Sequence, residues 1–202
     1  MNSIKTMCAQ NSSGEVFKVE KCYDDFAENP RTYSEHFSLF YTFEQMHTSP
    51  DEHHYRSASD WANAYGFSLG SNPADLIASM ARKGYVALPV WRYDHTSCAY
   101  QASMTNPFRC PWDSGMVGVI YASREEIRNN YGAKRVSPKL EEKVLELFQA
   151  EVNEYSLYAN GDVYLFSLID SEGNQIESVG NIYSDIESDE DIIKSYFGLI
   201  PV

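Results

Sequence analysis

The segment YVALPVWRY, residues 85–93, decides the fold because it is an almost continuous apolar run of strand length. Such a run predicts a strand that is buried on both faces. Pro89 within it predicts either a bulge or an edge position, since proline cannot donate to a strand ladder. A helix is predicted immediately before the strand, because Asn72 and Pro73 form a helix start and Gly84 a helix end.

Further strands are expected where apolar and polar residues alternate or where β-favouring residues cluster. These segments are residues 15–23, 35–43, 98–104, 116–122, 162–169 and 175–183. Polar residues 1–14 lack periodicity and predict a flexible N-terminal tail.

Capping signals predict four more helices, over residues 57–65, 123–132, 137–158 and 188–197. The third has an apolar stripe that includes Val144, Phe148 and Val152, with glutamates facing water. We therefore expect an α+β fold, in which residues 15–202 form a single domain of helices packed on a mostly antiparallel sheet of about six strands.

Composition excludes several classes of protein. The 202 residues are 43% hydrophobic, enough for a core, and the longest apolar run has seven residues, too few for a membrane span. The N-terminus has no signal-peptide pattern, so we expect a protein of the host-cell cytoplasm. The four cysteines include no C-x-x-C pair, so we expect four free thiols. The sequence also has no phosphate-binding loop and no dinucleotide-binding turn, so we expect no cofactor.

Negative charge concentrates in the last third of the chain. Residues 138–202 contain 14 acids and three lysines, a formal charge of −11 out of −13 for the whole chain. Such a field opposes direct binding of nucleic acid and favours a partner protein with a basic surface. Solubility alone is the alternative interpretation. The candidate partner-binding residues are Glu146, Glu154, Tyr158, Asp185, Glu187, Asp189, Glu190 and Asp191.

Reactive side chains concentrate between residues 91 and 121. One hypothesis is a cysteine-dependent enzyme with His95 as base and Cys110, or Cys98, as nucleophile. Asp94 or Asp113 would then orient the imidazole, and Arg109 would stabilise the thiolate. The candidate catalytic residues are Asp94, His95, Cys110, Asp113 and Ser114. In the alternative interpretation, Asp113 and Ser114 form hydrogen bonds with backbone amides of the turn before Gly115, and residues 110–112 pack a loop against the sheet.

A second polar cluster, Asp51-Glu52-His53-His54, has His36 and His47 near it in sequence. Its spacing fits no zinc template, and adjacent histidines project in different directions. We therefore interpret it as a solvated loop and expect no metal site.

Several short motifs resemble a family of uncharacterised proteins from phages and other mobile elements. The most specific block is residues 110–115, Cys-Pro-Trp-Asp-Ser-Gly, and the similarity spans about residues 16–182. It also includes residues 28–31 (ENPR), 51–53 (DEH), 93–95 (YDH), 107–108 (PF), 117–121 (VGVIY) and 161–164 (GDVY). The resemblance implies an accessory gene of a phage or plasmid.

In that setting, we expect a non-catalytic protein that binds a host protein through an acidic surface. A counter-defence inhibitor, such as an anti-CRISPR or anti-restriction protein, would occupy the groove where a defence complex holds nucleic acid. The alternatives are a cysteine/histidine-dependent hydrolase or modifying enzyme, and a minor structural or regulatory phage protein.

Overall fold

A computed structural model describes residues 3–33, 36–43, 49–95, 97–183 and 188–202. Over these residues the chain forms six helices and nine strands, and every strand pairing is antiparallel. The α+β class and the antiparallel pairing are therefore confirmed. None of the described helices combines the length and apolarity that a membrane span requires.

The chain divides into two compact units. The terminal unit comprises Met1–Glu28 and Leu157–Val202, and the central unit comprises Asn29–Ser156. Each unit has a sheet of its own, so the strands are divided between sheets of five and four strands instead of one sheet of about six. The pairing of strands more than a hundred residues apart produces this division, and local sequence patterns carry no signal of it.

The terminal unit is built on the five-stranded sheet, in the order β8-β7-β2-β1-β9. Its core includes Val19, Phe166 and Ile192. Its helix is α6 (Asp189–Phe197), capped by Ser188 as predicted. The strands are β1 (Lys5–Gln10), β2 (Val16–Tyr23), β7 (Tyr164–Ile169), β8 (Gln175–Ile182) and β9 (Ile200–Pro201).

The prediction of a flexible N-terminal tail is wrong for Lys5–Gln10, because these residues form β1, which pairs along its whole length with β2. Only Ala9 of this strand is fully buried, so its polar composition conceals a strand that backbone pairing stabilises.

The central unit is built on the four-stranded sheet, in the order β3-β6-β4-β5. The strands are β3 (Leu39–Thr42), β4 (Tyr85–Asp94), β5 (Cys98–Ala102) and β6 (Ser114–Ser123). The helices are α1 (Pro30–Tyr33), α2 (Ala58–Tyr65), α3 (Pro73–Arg82) and α4 (Arg124–Tyr131), and α5 (Pro138–Asn160) contributes its residues up to Ser156.

β4 is the internal, buried strand that the apolar run of residues 85–93 predicts. Pro89 pairs with Val119 of β6 and lies just outside the part of β4 that pairs with β5, so it has no ladder partner on the β5 side. The register between β4 and β6 shifts one residue further on, between Val90 and Trp91. The predicted capping box of Ser123 and Glu126 is also present at the start of α4.

Gly118 in β6 allows β3 to approach closely. A Cβ at this position would lie 2.1 Å from the carbonyl oxygen of Tyr41. Because Tyr41 is one of the aromatic residues that surround Trp61, this glycine helps to fix the aromatic part of the core.

Candidate functional site

The predicted catalytic residues Asp94 and His95 lie at the exposed end of β4. The backbone N–H of Asp94 donates to the carbonyl of Asp113 at 2.9 Å, so the two predicted segments do meet at this end of the sheet. The Asp94 carboxylate accepts a hydrogen bond from Arg92 at 2.6 Å. It is therefore paired with a guanidinium instead of orienting an imidazole.

Cys110, Asp113 and Ser114 form a hydrogen-bonded turn that leads into β6. The Cys110 thiol donates to the Asp113 carboxylate at 2.9 Å, and the Ser114 hydroxyl donates to the Cys110 carbonyl at 2.5 Å. Asn106 donates to the Ser114 hydroxyl at 3.0 Å. Both side chains therefore form hydrogen bonds within the turn, but their partners are the Cys110 thiol and the Cys110 carbonyl instead of the predicted backbone amides. The accompanying prediction that residues 110–112 pack on the sheet is wrong for Trp112, which is 93% exposed.

This geometry gives little support to a Cys110-centred enzyme. In the described part of the chain, no hydrogen bond joins the His95 imidazole to Cys110 or Asp113. The Asp113 carboxylate instead accepts a hydrogen bond from the Cys110 thiol. Arg109, which was expected to activate the thiol, has an exposed side chain. The arginine that lies beside a candidate thiol is Arg92, whose Nε is 3.3 Å from the Sγ of Cys98.

The predicted partner-binding residues differ in how available they are. Glu146, Glu190 and Asp191 are exposed, and Glu154 and Tyr158 are half-buried. The Asp189 carboxylate is held by two lysines, Lys5 at 2.6 Å and Lys21 at 2.9 Å, so it contributes to internal stability. The predictions for Asp185 and Glu187 lie outside the described residues.

The acidic character belongs mainly to the terminal unit. Within its bounds the sequence has 14 acids and four lysines, a formal charge of −10, against 15 acids and 12 bases in the central unit. Each of the four lysines lies against a carboxylate of the same unit: Lys5 and Lys21 on Asp189, Lys18 on Glu20 and Lys194 on Glu190. The other carboxylates of this unit therefore have no lysine of the same unit beside them among the ion pairs of the described residues.

Most tyrosines of the acidic third serve packing. Tyr155 and Tyr183 are buried, and the Tyr164 ring stacks on Tyr23 with centroids 5.4 Å apart. Tyr196 on α6 is 47% exposed and is the tyrosine of this group available to a partner.

The central unit contains an aromatic cavity that sequence reasoning missed. Its volume is about 160 Å³, and its walls include Tyr41, His53, Tyr55, Tyr65 and Tyr121. The Tyr41 and His53 rings meet edge to face at 4.4 Å between centroids. Behind the wall, Trp61 stacks on Tyr41 and donates its indole N–H to the Tyr121 hydroxyl at 3.0 Å. The sequence signal for this cavity is the high density of aromatic residues between positions 40 and 67.

The tyrosine hydroxyls of the cavity are neutral at physiological pH. A hydrogen bond to Tyr65, together with burial, raises the pKa of Tyr55 to about 12. Burial and a hydrogen bond to Tyr121 raise the pKa of Tyr65 to about 12, although the Tyr55 hydrogen bond acts in the opposite direction. Burial and the neighbouring His54 lower the pKa of His53, so its imidazole is also neutral near pH 7.

A buried polar network lies beside this cavity and includes one of its lining residues, Asp51. The Arg31 side chain is 1% exposed and donates to both Asp51 oxygens at 2.7 Å and to Glu151 at 2.6 Å. Burial opposes the charged guanidinium, but these carboxylates outweigh burial and raise the pKa of Arg31. Asp51 also accepts the backbone N–H of Phe40 at 2.5 Å. The network joins α1, the loop after β3 and α5.

The structure corrects in part the prediction that residues 51–54 form a solvated loop. Glu52, His53 and His54 are exposed, but the loop also forms part of the cavity wall. His36 contacts Glu151 at 3.4 Å, and His47 lies outside the described residues. Among the residues that can be described, no group of three or more His, Cys, Asp or Glu side chains could hold a metal ion.

Comparison of the chain with models of known protein families, with curated proteins and with solved structures found no match.

Proposed function

We propose that this protein acts without catalysis, by binding a partner protein through the acidic surface of its terminal unit. The observation that carries the proposal is the charge of that unit, −10 from 14 acids and four lysines, with every lysine already beside a carboxylate. A field of one sign steers a basic protein toward the surface and accelerates association.

The exposed residues of the terminal unit suit such contacts. Glu172 is exposed in the turn between β7 and β8, and Glu177 is exposed on β8. Glu190 and Asp191 are exposed on the first turn of α6. Charges at the rim of an interface mainly set the association rate, whereas aromatic side chains supply much of the contact energy. Tyr196, half exposed on the same helix, is the candidate anchor.

The edge strand β8 offers a second mode of contact. It pairs with β7 on one side and forms the edge of the five-stranded sheet as described. Its first four residues are exposed, and they include Ile176, 53% exposed, next to Glu177. An exposed sheet edge can accept an extended segment of a partner as an additional strand.

The class of partner follows from charge and from the resemblance to proteins of phages and other mobile elements. An acidic surface fits a groove that a host protein uses for nucleic acid, because both present negative charge to the same basic residues. We therefore propose a counter-defence role, in which the protein occupies the nucleic-acid groove of a host defence complex, as an anti-CRISPR or anti-restriction inhibitor does.

The test is capture of partners from host lysate with the tagged full-length protein, at about 50 mM and about 500 mM salt, with mass spectrometry. We expect a stoichiometric partner that binds nucleic acid and is released by salt. Glu172→Gln/Glu177→Gln should reduce its recovery. The matched control, Asn129→Lys/Asn130→Lys, changes the net charge by the same amount at exposed positions of α4. Equal loss in both variants, or a partner that high salt does not release, would contradict the proposal.

A cysteine-dependent enzyme remains a second candidate because of one contact, the 3.3 Å approach of Arg92 Nε to Cys98 Sγ. Reactive cysteines in enzymes commonly lie beside a cationic side chain. A folded Cys98→Ala/Cys110→Ala variant should retain full biological effect if the protein acts by binding. Loss of the effect with the fold intact would favour the enzyme.

A further inference from the structure

The aromatic cavity of the central unit has the size of a small-molecule site. Its volume of about 160 Å³ is close to that of a cavity that holds one benzene-sized molecule. Tyr55 is half-buried and His53 and His54 are exposed, so the aromatic wall extends to the protein surface. A ligand can therefore reach the rings from solvent.

The charges around the cavity favour a cation. Glu52 and Asp51 both line it, and the Asp51 side chain is 16% exposed. Arg31 compensates only part of this charge, because its single positive charge is shared between Asp51 and Glu151. Arg31 is itself 1% exposed and is not among the residues that line the cavity. The other residues that line the cavity are two apolar side chains, four tyrosines and two histidines: Leu39, Phe40, Tyr41, Tyr55, Tyr65, Tyr121, His53 and His54.

The chemistry of the walls narrows the class of cation. Aromatic rings attract a cation electrostatically and suit a weakly hydrated one, such as a methylated ammonium group, better than a metal ion. The described residues also supply no set of three His, Cys, Asp or Glu ligands for a metal. An anionic ligand would be repelled by the carboxylates of Asp51 and Glu52.

We infer that this cavity binds a small organic cation with a methylated ammonium head group. The rings of Tyr41, Tyr55, Tyr65 and Tyr121 surround the head group, and Glu52 at the rim supplies long-range attraction. This inference is independent of the proposed partner-binding function, because it concerns the central unit and not the acidic terminal unit.

The direct test compares choline with 3,3-dimethylbutan-1-ol, a neutral molecule of the same shape, by NMR titration of the full-length protein. Ring currents should shift the methyl protons of bound choline upfield. We expect choline to bind about tenfold more tightly than the neutral analogue. Equal affinity of the two would show a merely apolar cavity, and absence of choline binding up to about 10 mM would exclude the class. Either result overturns the inference.

Variants locate the binding. Tyr55→Leu removes a ring from the half-buried wall and should weaken choline binding about tenfold, whereas Tyr55→Phe keeps the ring and should stay within about threefold. Glu52→Gln should weaken binding by about twofold at low salt and not at high salt. Tyr23→Leu, at an exposed tyrosine of the terminal unit, is the control and should have no effect. Unchanged affinity in Tyr55→Leu would overturn the assignment to this cavity.

Discussion

The Arg31 guanidinium lies 2.6 Å from the Glu151 carboxylate in the interior of the central unit, and the two residues are 120 positions apart in sequence. Both side chains are buried, and Ser38 also donates to the same carboxylate. Loss of one partner leaves the other charge buried without full compensation, which makes the pair sensitive to substitution.

We expect Glu151→Leu to lower the free energy of unfolding by about 3 kcal/mol, because Arg31 then retains only Asp51 as a charged partner. Thermal unfolding followed by circular dichroism measures the effect. Glu146→Leu, an exposed site on the same helix, is the matched control and should change stability by less than about 0.5 kcal/mol. Equal effects at the two sites would contradict the role of the buried network.

Gly118→Ala should destabilise the central unit, since the new Cβ would lie 2.1 Å from the Tyr41 carbonyl oxygen and backbone must move to accommodate it. We expect a loss of about 2–3 kcal/mol in denaturant unfolding. The comparison is Gly115→Ala near the start of β6, where nothing lies within 4 Å of the added Cβ. Equal free energies of unfolding for Gly118→Ala and Gly115→Ala would contradict the close approach of β3 and β6.

Asp189 should give the terminal unit a stability that depends on pH. Burial alone would raise its pKa, but hydrogen bonds and charge from Lys5 and Lys21 outweigh burial and lower it. A carboxylate with a lowered folded-state pKa stabilises the fold above its unfolded value of about 3.9, and this contribution disappears as pH falls through the folded value.

Accordingly, Asp189→Asn should cost about 1–2 kcal/mol at pH 7, and its difference from the wild type should shrink as the pH falls below about 4. Unfolding measured at several pH values tests this expectation. Glu190→Gln, one residue further along the helix and exposed, should show less than about 0.5 kcal/mol at any pH. A loss in Asp189→Asn that stayed constant down to pH 3 would argue against the ion pairs as its cause.

The two candidate thiols should differ in reactivity. Cys98 lies beside the Arg92 guanidinium, whereas Cys110 donates to the Asp113 carboxylate. We expect iodoacetamide to modify Cys98 faster than Cys110 at neutral pH, as measured by mass spectrometry of peptides over time. Asp113→Asn should accelerate modification of Cys110 and leave Cys98 unchanged. Faster modification of Cys110 in the wild type would reopen the enzyme hypothesis that has this thiol at its centre.

Local patterns predicted most helices and strands because each depends on a short-range signal. Helix α2 ends at Gly66, which has a left-handed backbone conformation. Helix α3 begins after Asn72, whose side chain caps the helix by accepting a hydrogen bond from the backbone N–H of Asp75. β1 was missed because six residues with one buried side chain show no alternation of apolar and polar residues.

The parts of the molecule that sequence analysis could not supply depend on contacts between distant segments. Glu151 was overlooked because it shares the buried face of an acidic helix with Phe148 and Val152, and its partner Arg31 is far away in sequence. The aromatic cavity was missed for the same reason, since β3, the 51–55 loop, α2 and β6 each contribute to it. The sequence also does not show whether the Asp94 and Cys110 segments meet; the hydrogen bond from the Asp94 N–H to the Asp113 carbonyl shows that they do, and the side-chain hydrogen bonds distinguish a turn from a catalytic site.

The proposed association of the acidic terminal unit with a basic partner is tested most directly by the association rate of the captured complex at two salt concentrations. We predict that the wild-type rate falls at least tenfold between about 50 mM and about 500 mM salt. Glu172→Gln/Glu177→Gln should be slower at low salt and less sensitive to salt. An association rate that is independent of salt, or the same in the wild type and this variant, would contradict the account.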